Sequence, residues 1–289
     1  MKRYFESTIL VLLSILTFTA CSEDEGTSPG SDGQPHVSLN MYPASLPYDS
    51  DNDQILRMAV NQQTESVYYL AEKTADKDAR GMAADAYADY VVSNGKQANL
   101  ETDAFSGGKT GDVIIEGMKG DYTITAVAVS GGTKVSSSVT FWGPNWLDVT
   151  NGTYTFSARA QQRLGVEEKK STVLQCLESD PTQYRFKNLY GVGHSLLLTL
   201  TDKTDKDDYD KLQYFRVQPQ ATPFTYSSYG TISVRDLGYW QDDDSYAYDP
   251  GYGCFMYTEN YKNFVVVAVQ YYVSAGSLGY GWDEFEPEK

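Results

Sequence analysis

The feature that most constrains this chain is a long succession of short apolar, β-branched and aromatic runs, each ended by turn residues. Runs of this kind read as strands, because alternating side chains pack on one face and Gly, Asn, Asp, Pro or Ser breaks each run. In the first half they fall at 36–41, 55–60, 66–71, 112–116, 121–129 and 134–141. Within 121–129, Tyr122, Ile124, Ala126 and Ala128 share one face of a period-two pattern. Ser130-Gly131-Gly132-Thr133 then supplies a hairpin turn. In the second half the runs fall at 152–157, 171–176, 183–186, 195–200, 212–217, 229–234, 254–257 and 264–269. Strand and helix patterns do not alternate, which argues against a doubly wound or α/β-barrel enzyme. The expected fold is all-β: two β-sandwich or barrel-like domains in tandem. One short helix interrupts the first, where Met82, Ala83, Ala86, Tyr87, Tyr90 and Val91 recur at helical spacing and Asn94-Gly95 supplies a C-cap.

The N-terminus carries an address. Lys2 and Arg3 precede an apolar stretch over 9–16, which closes on Thr19-Ala20-Cys21. The stretch falls short of the roughly 20 apolar residues that a spanning helix needs, and the pattern is that of a cleaved export signal. A small residue directly before a cysteine resembles the lipobox of bacterial lipoproteins. That resemblance implies an acylated Cys21 as the mature N-terminus and a membrane partner reached through its lipid. Ser22, Glu23, Asp24 and Glu25 follow at once and resemble the export signal of surface-exposed lipoproteins in Bacteroidota-type Gram-negative bacteria. The implied location is the outer membrane, lipid-anchored and facing outward. The expected organisation is a signal peptide over 1–20, a polar Gly/Ser/Pro-rich tether over 21–35, a first domain over 36–143 and a second over 146–283. Gly143-Pro144-Asn145 forms the boundary.

Gly120-Asp121-Tyr122-Thr123-Ile124-Thr125-Ala126, before the final hairpin of the first domain, resembles the penultimate strand of fibronectin type III and other immunoglobulin-like modules. Such modules often act as spacers, and the resemblance implies that role here. The whole layout, with a closing Tyr-, Ser- and Gly-rich segment over 271–281, resembles surface lipoproteins of Bacteroidota. In these an immunoglobulin-like module precedes a Tyr/Trp-rich β-domain, and some are associated with outer-membrane glycan capture.

Catalytic patterns are sparse. The formal charge of −16 repels phosphate backbones, so nucleic acid is not an expected partner. A nucleophile–histidine site must draw on His36 at the tether edge or His194 in a turn, and neither has the right setting. Asp49, Asp51 and Asp53, residues 205–210 and residues 242–244 are acidic clusters. None matches a calcium loop with its glycine and terminal glutamate, and solvated acidic turns are the favoured reading. No metal or cofactor is expected. Cys176 and Cys254 leave a disulfide and two separate thiols equally open.

The chain holds 24 tyrosines, more than a core of this size absorbs, since each phenol oxygen needs water or a partner. They concentrate in 237–261, where Tyr239, Trp240, Tyr246, Tyr248 and Tyr252 alternate with acids and glycines. This segment reads as a long loop, either an exposed aromatic platform for ligand or a cover packed on a sheet edge. The expected function is therefore non-catalytic binding of a polysaccharide or an outer-membrane protein partner by the second domain. The alternatives are an accessory subunit of an outer-membrane assembly and, behind it, a carboxylate-dependent hydrolase.

Overall fold

A computed structural model describes residues 33–102 and 108–288. Cys21, Ser22, Glu23, Asp24 and Glu25, on which the expected anchor and export signal rest, lie outside the described residues. The fold is all-β. Among the described residues no helix is long and apolar enough to cross a membrane.

The first domain contains β1 (Val37–Pro43), β2 (Gln54–Val60), β3 (Ser66–Lys73), α1 (Thr74–Arg80), α2 (Ala84–Asn94), β4 (Lys96–Gln97), β5 (Glu101–Thr102), β6 (Lys109–Ile115), β7 (Gly120–Ser130) and β8 (Thr133–Gly143). Two antiparallel sheets, ordered β1-β2-β6-β5 and β4-β3-β7-β8, pack face to face. Val37, Leu56 and Met58 from one meet Val67, Ile124, Ala126 and Ala128 from the other. The alternation expected along 121–129 holds on this face. Its other face is buried as well, because α2 lays Tyr87, Ala88 and Val91 over Val127. The sequence suggested one helix here and the structure has two. Gly81 takes a left-handed conformation (φ 56°) that ends α1, so Met82 falls between the helices, exposed, rather than on a buried stripe.

The domains join tightly. Gly143 ends β8 against the first domain, where a Cβ would sit 1.7 Å from the Met118 carbonyl oxygen, so only glycine fits. With its amide turned to donate, Asn52 bonds the carbonyls of Met118 (3.1 Å) and Pro144 (3.0 Å). Asp51 pairs with the buried Arg185 of the second domain, whose guanidinium stacks on Trp146 at 4.4 Å.

The second domain runs β9 (Trp146–Thr155), α3 (Ala158–Leu164), β10 (Lys169–Leu177), β11 (Asp180–Phe186), β12 (Leu196–Lys206), β13 (Lys211–Arg216), β14 (Gln220–Thr225), β15 (Thr231–Asp236), α4 (Leu237–Gln241), β16 (Cys254–Tyr257), β17 (Val265–Val273) and β18 (Gly276–Pro287). Eight strands close into an antiparallel barrel in the order β9-β10-β11-β12-β13-β16-β17-β18, with β18 pairing back to β9. The β14–β15 hairpin leaves the barrel after β13 and docks on β17. The interior is filled rather than hollow: Tyr154 packs edge-on to Phe186, which is tilted against Phe285, with centroids 5.0 Å apart in each pair. The two cysteines are separate thiols on β10 and β16.

Asp283 is fully buried within this apolar filling. Its oxygens accept from Tyr154 Oη (3.0 Å), Tyr271 Oη (2.9 Å) and the Ser157 backbone N–H (2.8 Å). Burial lifts its pKa above the ordinary carboxylate value, and these hydrogen bonds offset that only in part. The folded chain therefore keeps this proton over a pH range where the unfolded chain has lost it. The stability tied to Asp283 falls as pH rises from the ordinary value through the raised one. Asp283→Asn keeps the shape without the charge. Thermal melts at several pH values should show the variant's melting temperature gaining on the parent's as pH rises through that range. A constant difference would mean that Asp283 carries no proton linkage.

Candidate functional site

The site begins with an arginine. Arg216, at the end of β13, makes a forked pair with Asp236 at the end of β15 (Nε–Oδ2 2.8 Å, Nη2–Oδ1 3.2 Å). Burial works against the guanidinium's charge, but the bonds to Asp236 and Asp244 outweigh it and hold its pKa above the usual value. Asp236, fully buried, also accepts from the Val217 N–H and caps α4 through the Tyr239 N–H at 2.9 Å. Arg216 Nη1 reaches on to Asp244 (2.7 Å), and the guanidinium lies 4.1 Å from the Tyr239 ring centroid. One cation thus ties the start of the 237–253 segment to the barrel wall.

The acids of this segment shape the chain. Asp243 caps the Ser245 N–H, and Asp249 accepts from the Gly251 N–H at 2.7 Å. The other acidic clusters behave alike. Asp53 accepts from the Asp49 and Gly117 N–H groups, and Asp49 from the Asp51 N–H. Asp207 accepts from the Tyr209 and Asp210 N–H groups and from Tyr257 Oη, and Asp210 from the Tyr261 N–H. Carboxylates bonded to backbone donors in this way are turn-formers. Among the described residues no group of three or more His, Cys, Asp or Glu side chains is placed to hold a metal ion. The ring of His36 bonds the Ser38 hydroxyl, and His194 closes a turn through its backbone bond to Gly191.

The five aromatic residues singled out in this segment divide. Tyr248 packs edge-on against Tyr214, with ring centroids 5.8 Å apart, and lies beside Arg216. Tyr239 covers Arg216 with its ring while staying exposed. Tyr246 is half-buried on the barrel core, edge-on to the exposed Tyr252. Trp240 is half-buried on the barrel core and meets Tyr280 (5.6 Å), and Tyr280 meets Trp282 (5.1 Å). Trp282 donates its indole N–H to the Gly251 carbonyl at 3.1 Å, which fixes the ring beside Tyr252. Both alternatives raised by the sequence are thus realised, packing at Trp240, Tyr246 and Tyr248 and exposure at Tyr239 and Tyr252.

Tyr280 and Trp282 were not singled out from sequence, and they complete the strip. They lie on β18, where Tyr280, Trp282, Glu284 and Glu286 point outward and Asp283 and Phe285 inward. The period-two signal was present but broken up by Gly276, Gly279 and Gly281. The result is an outward-facing strip of Tyr280, Trp282 and Tyr252, with the half-buried Trp240 at its end. Tyr280 is 38 % exposed, Trp282 44 % and Tyr252 42 %, with the Glu284 carboxylate exposed on the same strand face.

Comparison with known proteins gives no match, whether to a protein family, a curated protein or a solved structure.

Removing the anchor should release the segment. Arg216→Ala leaves Asp236 buried and unpaired, which costs about 3 kcal/mol of stability. Limited proteolysis of this variant should cut within 239–252 under conditions where the parent is intact; unchanged resistance would show that the segment is held by its apolar contacts alone.

Proposed function

We propose that this chain is a non-catalytic surface lipoprotein of the outer membrane that binds glycan through the aromatic strip of its barrel. The observation that carries the reading is the strip itself: Tyr280 and Trp282 exposed in series, backed by the half-buried Trp240 and held in place by packing and by the Gly251 bond. Fixed aromatic faces bury the apolar face of a sugar ring at little entropic cost, and an adjacent carboxylate accepts from its hydroxyls. Exposed aromatic clusters mark interaction sites on soluble proteins. The strongly negative chain favours an uncharged glycan over an acidic one.

The resemblance of the first domain to an immunoglobulin-like module is supported by its strand order. Sheets β1-β2-β6-β5 and β4-β3-β7-β8 correspond to the A-B-E-D and C′-C-F-G arrangement of that fold. The anchor rests on Cys21 and its neighbours in the sequence.

Isothermal titration against starch, xylan, mannan and laminarin tests the binding. One or more should bind, and Tyr280→Ala and Trp282→Ala should each weaken that binding about tenfold without a change in melting temperature. Uniform absence of binding, or binding that survives both substitutions, overturns the reading; a co-purifying protein lost on the same substitutions would point to a protein partner instead. Anchoring is tested separately. In a Gram-negative host the full chain should incorporate a palmitate analogue and sediment with membranes, and Cys21→Ser should abolish both.

A further inference from the structure

The first domain carries an aromatic residue that neither its own packing nor the barrel strip explains. Of the four tryptophans, Trp146 lies under Arg185, Trp240 meets Tyr280, and Trp282 meets Tyr280 and Gly251. Trp142 is 50 % exposed and, among the described residues, has no ring contact and no hydrogen bond to its indole N–H. It stands on the outer face of β8 directly opposite Asp121 of β7, with Thr140 two residues back on the same face. Directly opposed residues on an antiparallel pair have Cβ atoms only about 5 Å apart, so the Asp121 carboxylate borders the indole. The first turns of α1 form the opposite wall with Thr74 and Asp78, and together these residues line a groove of about 630 Å³. α2 covers this sheet around Val127 and leaves the Trp142 end open.

Three polar side chains of the groove are unengaged, while the Thr74 hydroxyl bonds that of Thr123 at 2.9 Å. Elsewhere the clustered aspartates are consumed by backbone N–H groups, but the side chains of Asp78, Asp121 and Thr140 make no hydrogen bond or ion pair among the described residues. Lys73, the one cation lining the groove, is already engaged, bonded to the Lys119 carbonyl and lying 4.5 Å from the Tyr122 ring centroid. An open indole face, an unused indole donor, two unused carboxylates and a hydroxyl match a polyhydroxylated ring, with one apolar face to stack and hydroxyls at its rim. An acidic ligand would meet both aspartates. An extended apolar ligand would leave them desolvated and unpaired, which is costly.

We propose that the groove over Trp142 is a second binding site for uncharged glycan, so that the first domain is more than a spacer. The inference extends the glycan reading of the barrel, and the experiment separates the two. Titration calorimetry on the full chain uses maltohexaose, xylohexaose, mannohexaose and laminarihexaose, with glucosamine hexamer as the charged control. The parent should bind one or more of the neutral hexamers at two sites. Trp142→Ala should leave one site, and the Tyr280→Ala/Trp282→Ala double variant should leave the other. Trp142→Phe, which retains a ring, should restore two sites and shows that the loss is not a folding defect. If Trp142→Ala binds as the parent does while the double variant loses all binding, the groove inference falls and the barrel reading stands. If the double variant binds as the parent does and Trp142→Ala loses all binding, the barrel reading falls and the groove stands. Binding of the glucosamine hexamer alone overturns the uncharged class, and no binding of any hexamer by the parent overturns the groove inference.

Discussion

The second domain depends on β18. Until this strand pairs with both β17 and β9, seven strands form an open sheet with two exposed edges, which is a template for aggregation. Closure removes both edges at once. It also assigns opposite tasks to successive side chains, because a strand directs alternate residues to opposite faces. Asp283 and Phe285 enter the core, where Phe285 completes the aromatic cluster and Asp283 satisfies two buried phenols. Tyr280 and Trp282, out of phase by one residue, are placed outside. The buried polar centre and the exposed aromatic strip are thus two faces of one strand, and a one-residue slip in register would destroy both.

Arg216 does for the long excursion what β18 does for the barrel. A segment rich in Gly, Asp and Tyr has little regular hydrogen bonding of its own, so it needs an external fixed point. Asp236 holds Arg216, caps α4 and accepts from Val217, and these bonds justify burying a charge that would otherwise be expensive. The acids that follow are spent on turns. A strongly acidic composition here reflects local chain geometry at Asp243, Asp249, Asp207 and Asp53 more than a stored field for cations.

Much of the architecture was readable from the chain. The strand runs of the first domain fall where the structure puts β1, β2, β3, β6, β7 and β8, because a half-buried strand imposes period two on its own sequence. What escaped has physical reasons. β18 carries glycines at 276, 279 and 281, which dilute the β signal; at 281 a side chain would collide with Ser157. β14 holds Pro223 within a short docked hairpin, a composition that reads as loop. α4 is a single turn that depends on a cap, Asp236, reached through a tertiary ion pair. The candidate site followed the same division. Trp240 and Tyr252 were visible as members of a local cluster, whereas Tyr280 and Trp282 join them only through barrel closure.

The junction between the domains bears on how the two proposed glycan contacts work together. Trp142 is followed at once by Gly143, whose contact with Met118 admits no side chain, and Pro144 accepts the Asn52 amide. Arg185 reaches from the barrel to Asp51 at the same seam. A flexible spacer would let the two sites sample many separations, and the effective concentration of the second would be spread over all of them. Here the separation is set by packing, so with both proposed sites a polymer of matching span would gain avidity of about 10²–10⁴ over one contact, while a short oligomer would gain none. If both proposed sites bind, rigidity at the seam would convert two shallow aromatic contacts into selection for chain length, without either site needing the depth of an enzyme cleft.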